Sequence, residues 1–361
     1  FIHMNTTVGM ALIGGVDSAT AAFLLQKKGY AVEAFFMELP LPTSSLAYEQ
    51  ATKIAATLRI PLHRLDLREA FTANVIDYFS RSYQMGLTPN PCVFCNHHIK
   101  FGLLAKKMQH LGMQYMATGH YARLEQGING PILKRGLDAL KDQSYFLARV
   151  QPSQLQQVFF PLGSFTKKEV RILAQKQGIP FPEKESQDIC FLQNGLTAFF
   201  AEKGLANQGG DIVTNTGQLL GRHTGIWHYT IGQRRGLGLP DATPWYVLRI
   251  DGKENRLVVG KEEELLLDEY PVHSLRWMLG DTPPSWQGTI QLRSQHRGVQ
   301  GKFCRLDEGE GRLTFSSPQR AVTPGQFAVF YQEDLVVGSA ILGVAKNTLN
   351  SIPTEAPSCS V

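Results

Sequence analysis

Two groups of residues in this 361-residue chain have the types and spacing for chemistry. The first is a set of three among its five cysteines: Cys92 and Cys95 in TPNPCVFCN, and Cys190 in ESQDIC. The second is the turn Gly14-Gly15-Val16-Asp17-Ser18. Glycines let a backbone come close to an anion, and the first N–H groups of a following helix then point at it, favoured by the helix dipole. The common phosphate loop would need a Gly-Lys-Ser/Thr that is absent here. Asp17 in its place suggests a magnesium-linked contact to a leaving pyrophosphate. A nucleotide-cleaving loop beside paired thiols suggests sulfur chemistry driven by nucleotide cleavage.

The cysteines leave several readings open. Thr88-Pro89-Asn90-Pro91 places two prolines just before Cys92, which disfavours regular helix and sheet and predicts a fixed loop. A CxxC there can be a metal or iron-sulfur site, a redox pair, or a thiolate nucleophile. Cys190 follows an acidic and polar stretch, Glu183 to Asp188. Cys304, in the strand-like Lys302 to Leu306, reads as a small core hydrophobe. Cys359 lies in a Ser/Pro-rich tail and reads as inert.

The elements that must position these groups follow from periodicity. Val8 to Leu12 is a short apolar run expected to be a buried strand, and Ala19 to Lys28 has helical spacing ending at Gly29. Strand-like runs (Ala31 to Met37, Leu62 to Leu67, Tyr115 to Thr118) alternate with helical ones (Ala47 to Leu58, Ala70 to Gln84, Lys100 to Leu111) up to about Gln193. That alternation predicts an α/β domain with a parallel sheet between helices. Ligands of such sheets bind at the carboxyl ends of the strands, where the GGVDS loop, Met37 and Thr118-Gly119-His120 all fall. Beyond Gly204 the helical pattern fades. Asp211 to Val213, Tyr246 to Asp251 and Arg256 to Val259 read as a small β-rich domain. Thr289 to Arg293, Gly301 to Leu306, Arg312 to Phe315, Phe327 to Gln332 and Leu335 to Leu342 have the spacing of a small antiparallel β-barrel. The expected domains are therefore 4–200, 201–265 and 266–346, with a disordered tail over 347–361.

Composition bounds the partners. With 43% hydrophobic and 19% charged residues the chain can bury more than one core. An odd cysteine count does not look like a secreted disulfide framework, and no run of about 20 apolar residues suggests a membrane span, so a cytoplasmic protein is expected. A net charge of +5 permits a polyanionic partner without requiring one. Basic residues gather at Arg234-Arg235 and around Arg293, His296, Arg297 and Lys302.

These residues, taken in order, resemble the tRNA-specific 2-thiouridylases. The resemblance runs from Val8 to about Gly343 and is carried by GGVDS, Phe36-Met37, TPNPCVFCN, IKF (Ile99 to Phe101), ATGHYAR (Ala117 to Arg123), KDQSYFL (Lys141 to Leu147), ESQDICF, HYTIGQRRGLG (His228 to Gly238) and PQRAVTPGQ (Pro318 to Gln326). It implies an N-terminal PP-loop domain of the adenine nucleotide α-hydrolase-like type, followed by two β-rich tRNA-binding domains. It also implies an ATP-dependent 2-thiolation of the wobble uridine, in which uridine O2 is adenylated and AMP is then displaced by sulfur.

Residue by residue, the resemblance implies that Ala11, Leu12, Ile13, Gly14, Gly15, Val16, Asp17, Ser18, Met37 and Gly119 hold ATP, with Mg2+ beside the phosphates. Cys190 would carry a persulfide and Cys95 would be its catalytic partner, forming a disulfide as sulfur leaves. Thiolates are needed at both, so depressed pKa values are expected. Asn90, Pro91, Cys92, His120, Lys141, Asp142, Gln143, Arg293, Ser294 and Gln326 would contact tRNA, and Arg234 and Arg235 would hold its phosphates. A cysteine desulfurase or a persulfide carrier is implied as sulfur donor. Many family members carry aspartate where this chain has Cys92. The cysteine completes a Cys92, Cys95, Cys190 triad that could instead ligate a 4Fe-4S cluster, and a zinc site using His97 or His98 is a lesser alternative. Two departures bear on ATP: Ile13 and Ala19 stand where the family's loop has serines. Loss of one hydrogen bond to a charged group is worth about 1.5 to 3 kcal/mol. A paralogue that only binds tRNA, or another PP-loop sulfurtransferase acting on a small substrate, are the alternative functions.

Overall fold

The computed structural model describes residues 6–181, 189–204, 208–240 and 242–345. The chain forms two compact units, one of Phe1–Asp77, Pro91–Gln193 and Asp334–Val336, the other of Tyr78–Asn90, Asn194–Glu333 and Val337–Val361.

The first unit is built on a parallel sheet. Its early elements are β1 (Thr7–Ala11), α1 (Val16–Lys27), β2 (Ala31–Glu38), α2 (Ser44–Leu58), β3 (Leu62–Asp66) and β4 (Tyr115–Ala117). The strand order is β3-β2-β1-β4 with Val158–Phe159 at the far edge. Met10 pairs with Ala34 on one side and Ala117 on the other. Burial on both faces explains why β1 reads as an unbroken apolar run: Val8 and Met10 on one face and Gly9 and Ala11 on the other are all buried. The alanine-rich face of α1 (Ala19, Ala21, Ala22) allows close approach to the sheet, and Val170 and Ala174 of the helix Lys167–Lys176 join the same core.

Helices in this region are longer and less regular than the periodicity predicts. The stretch Arg68–Gln84 is one helical run with a widened π-type segment at Thr72–Ile76. The CxxC also differs from its expected loop: Pro91–Phe94 is α-helical and continues into a π-type stretch, Cys95–Leu104. Pro91 begins the helix instead of breaking it, because the first helical residue needs no N–H partner. A hairpin, Ala122–Gly127 with Gly130–Arg135, adds to the strands that the pattern predicts.

The second unit contains two β structures. Tyr246–Asp251, Arg256–Gly260, Gly210–Thr214 and Leu219–His223 form a four-stranded sheet in that order. Six further strands form a closed antiparallel barrel: Leu266–Trp277, Glu310–Arg320, Val299–Asp307, Ser285–Gln291, Phe327–Gln332 and Leu335–Leu342, with Val272 opposite Leu342 closing it. Closure pairs the first of these strands with the last, which protects both edges. Trp277, Trp286, Phe303 and Phe330 pack ring against ring inside, with centroids 5.4 to 6.2 Å apart. The tail expected over 347–361 lies outside the described residues.

Candidate active site

The GGVDS turn lies between β1 and α1, at the carboxyl end of β1. Gly14 has φ of +82°, and a Cβ there would lie 2.9 Å from the carbonyl oxygen of Ala47, so only glycine fits. Gly15 is the N-cap of α1 and no side chain caps that end. The opening N–H groups of α1 therefore have no intrahelical acceptor and are available to an anion. The Ser18 hydroxyl donates to the Gly15 carbonyl at 3.1 Å and so braces the turn. Gly119, after β4, backs directly onto it: an added Cβ would sit 2.8 Å from the Ser18 nitrogen and 2.9 Å from the Asp17 carbonyl carbon. Met37, near the end of β2, is buried, whereas Ile13 is 53% exposed and Ala19 is fully buried. Ile13 thus presents an apolar side chain at the surface of the loop, where the resemblance implies a serine.

Asp17 is already engaged. Both of its oxygens accept from Lys167 Nζ at 2.7 Å, and Oδ1 also accepts from the Tyr121 hydroxyl at 2.8 Å. Neither Lys167 nor Tyr121 is among the site residues that the sequence predicts. The nearest local signal is the capping-box pattern Thr166 to Glu169, which fixes the start of the Lys167–Lys176 helix.

The sulfurs belong to the same unit. Cys92 and Cys95 are half-buried and Cys190 is exposed. Their charges interact: the Cys95 thiol is raised by both Cys190 and Cys92, and Cys190 by Cys92. Burial, the larger cause, pushes Cys95 up to about 12 and Cys190 up to about 11, and raises Cys92. Although Cys190 has surface exposure, dense protein around its sulfur still disfavours the anion. Lys100 opposes the rise at all three. The expected depressed thiol pKa values are therefore not found; desolvation outweighs one lysine. His120 is buried, shares a hydrogen bond of 2.7 Å with Thr118 Oγ1, and is held well below its usual pKa by burial and then by Lys100.

Among the described residues no group of three His, Cys, Asp or Glu side chains is gathered to hold a metal ion. His97 meets Gln154 at 3.1 Å, and the His98 ring stacks on Phe94. The acidic stretch Glu183 to Asp188 lies outside the described residues.

The remaining residues divide between the units. In the first are Pro91, Cys92, His120, Lys141, Asp142 and Gln143. Asp142 spends its carboxylate on Arg135, the Gly136 N–H and both donors of Ser144, and Gln143 Oε1 accepts from the Tyr121 N–H. In the second are Asn90, Arg234, Arg235, Arg293, Ser294 and Gln326. Arg293 and Gln326 are brought together, lining a hollow of about 270 Å³ with His296, Gln319 and Arg320. Gln326 Nε2 donates to the Thr88 carbonyl at 2.9 Å, and the Ser294 carbonyl accepts from Gln291 at 3.0 Å. Arg234 borders a separate open hollow with Trp245.

Comparison with known proteins agrees with this layout. Residues 6–194 match the family description "tRNA methyl transferase HUP domain", 198–261 a PRC-barrel domain of the same series, and 268–342 an "Aminomethyltransferase beta-barrel domain". The chain is 39% identical over 343 residues to the tRNA-specific 2-thiouridylase MnmA of Desulfotalea psychrophila, covering 94% of this chain and 99% of that one. It is 43% identical over 338 residues to the enzyme of the same name from Acidithiobacillus ferrooxidans, covering 91% and 96%. Among solved structures, a tRNA thiolase from Methanococcus maripaludis with its 4Fe-4S cluster aligns at 19% identity and TM-score 0.35, covering 52% of this chain and 62% of that one. A 4-thiouridine synthetase–RNA complex with bound ATP aligns at 18% and 0.35, covering 55% and 49%. Likenesses this distant carry no weight for the chemistry of this chain.

Proposed function

The chain belongs to the tRNA-specific 2-thiouridylase family, and from that premise we propose how its residues carry out ATP-dependent 2-thiolation of the wobble uridine of tRNA. The observation that carries the assignment of roles is the presence in one compact unit of an uncapped, glycine-fronted helix end and the two thiols Cys95 and Cys190.

The N–H groups at Gly14 to Ser18 hold the ATP phosphates while Met37 and Gly119 border the nucleotide. Uridine O2 attacks the α-phosphorus, pyrophosphate departs, and the base is left with a good leaving group at C2. The terminal sulfur of a persulfide on Cys190 adds to C2, and AMP leaves with the former O2. Cys95 then attacks the Cys190 sulfur. The sulfur–sulfur bond breaks toward the base, leaving C2=S on uridine and a Cys95–Cys190 disulfide. A thiol reductant supplies the two electrons that reopen it, and a cysteine desulfurase or persulfide carrier reloads Cys190. Magnesium, when bound, would neutralise charge on the phosphates; Asp17 offers the hard oxygen ligand such an ion takes alongside phosphate and water. The sulfur relay itself needs only Cys95 and Cys190.

High thiol pKa values set a condition on this chemistry: both cysteines are protonated in the nucleotide-free protein at neutral pH. A base delivered with the substrate, or a change in the surroundings of Lys100 on tRNA binding, has to generate each thiolate. Arg293, Ser294, Gln326, Arg234 and Arg235 in residues 201–265 and 266–346 hold the anticodon arm, and Asn90, Pro91, Cys92, His120, Lys141, Asp142 and Gln143 of 4–200 meet the loop from which the base is flipped. Retention of Asp17, Cys95 and Cys190 favours an enzyme over a paralogue that only binds tRNA. Labelling the wobble uridine O2 with heavy oxygen tests the order of events. The label must appear in AMP; label released as water would refute adenylation at O2.

A further inference from the structure

Lys167 lies at the start of a helix of ten residues, where its own N–H donates to Asp138 at 2.9 Å. Its side chain is only 12% exposed, and its ammonium reaches both oxygens of Asp17. Tyr121 limits it from another side, with the ammonium 5.8 Å from the ring centroid. Asp17 is the second residue of α1, so this cation is fixed at the helix end whose N–H groups favour anions. A positive charge gains nothing from the dipole at that place. Its position makes sense if the charge serves an anionic ligand of the loop, with the single carboxylate of Asp17 as its alternative partner.

We propose that Lys167 is a phosphate-binding residue of the nucleotide site, exchanging Asp17 for the phosphates when ATP binds. This rests on the reading of the GGVDS turn as the ATP loop. A triphosphate carries several negative charges against one on Asp17, and the four-carbon stem of lysine lets the ammonium swing while its backbone stays fixed by Asp138 and Thr166. The role also accounts for how a loop with Ile13 and Ala19 in place of hydroxyl-bearing residues can retain its anion: a charged donor from another helix replaces neutral ones from the loop.

The test is calorimetric titration of α,β-methylene-ATP and, separately, adenosine into the full chain and its Lys167→Ala, Lys167→Gln and Lys167→Arg variants. Lys167→Gln keeps a hydrogen-bonding stem and serves if the alanine variant does not fold. Loss of the charge is expected to weaken the triphosphate analogue about ten- to a hundredfold, leave adenosine within about twofold, and be partly reversed by arginine. Asp17→Asn in magnesium-free buffer is expected to tighten the analogue by releasing Lys167. Equal weakening of adenosine and the analogue, or no change in either, would overturn the proposal and leave Lys167 a structural partner of Asp17. Failure of the unaltered chain to bind the analogue at all would instead refute the nucleotide reading of the loop.

Discussion

Alkylation of the cysteines as a function of pH probes the electrostatics of the site directly. With its thiol at about 11, Cys190 is about one part in a thousand thiolate at pH 8, and Cys95, at about 12, about one in ten thousand. An ordinary cysteine, with a pKa of about 8.5, is about one quarter thiolate at that pH. The thiolate deficits are thus about 240-fold and about 2,400-fold. A more basic thiolate is also a better nucleophile, with a Brønsted slope of about 0.45, which returns factors of about 13 and about 40. Net slowing against a model thiol is then about 20-fold at Cys190 and about 60-fold at Cys95, before any steric hindrance. The assay is iodoacetamide labelling of the nucleotide-free protein between pH 7 and pH 10, with each cysteine followed by peptide mass spectrometry. The rate at both positions is expected to climb about tenfold per pH unit across the whole range. A plateau with an apparent pKa below about 8 at Cys190 would refute the reasoning, showing that the local cation outweighs burial.

Other consequences concern single residues. Gly119→Ala puts a Cβ against the backbone of Asp17 and Ser18, costing about 1 to 3 kcal/mol of stability and weakening ATP-analogue binding; urea unfolding and titration check both. His120 is held well below its usual pKa, so its contribution is intact above about pH 6.5 and is lost as pH falls, the unfolded chain binding the proton more readily. The loss of stability between pH 7 and pH 5 is therefore expected to be shallower in His120→Gln, by up to about 1.4 kcal/mol per pH unit. Arg293→Ala is expected to weaken tRNA binding and to reduce the slope of log affinity against log salt by about one, measured by filter binding over a salt series.

The parallel sheet is legible in the sequence because buried strands such as Val8 to Leu12 are continuous apolar runs bounded by Gly14-Gly15 and, for the helix, Gly29. The closing barrel strand Leu266–Trp277 is not. It carries Asp268, Glu269 and Pro271, its register shifts twice, and Ser274 has φ of +53°, so no simple alternation survives. The hairpin after β4 turns at Ile128-Asn129, a pair that lacks the usual glycine turn signal, between strands too polar to stand out. At the site, loop and cysteines can be read from residue type and spacing. The helical CxxC departs from its expected loop because a proline that breaks a helix interior is equally able to start a helix, as Pro91 does. Thiol basicity depends on burial by distant segments, and the Lys167–Asp17 pair joins residues 150 positions apart; neither leaves a local trace.

Delivery of sulfur by Cys190 to a uridine activated by ATP is tested most directly on the product itself. Unmodified tRNA is incubated anaerobically with the protein, ATP, magnesium, a cysteine desulfurase with cysteine as the source of persulfide sulfur, and a thiol reductant, alongside Cys190→Ala, and its nucleosides are analysed by mass spectrometry. The expected product is 2-thiouridine that requires both ATP and Cys190. Thiolation by Cys190→Ala at the rate of the unaltered chain, or without ATP, would contradict this chemistry.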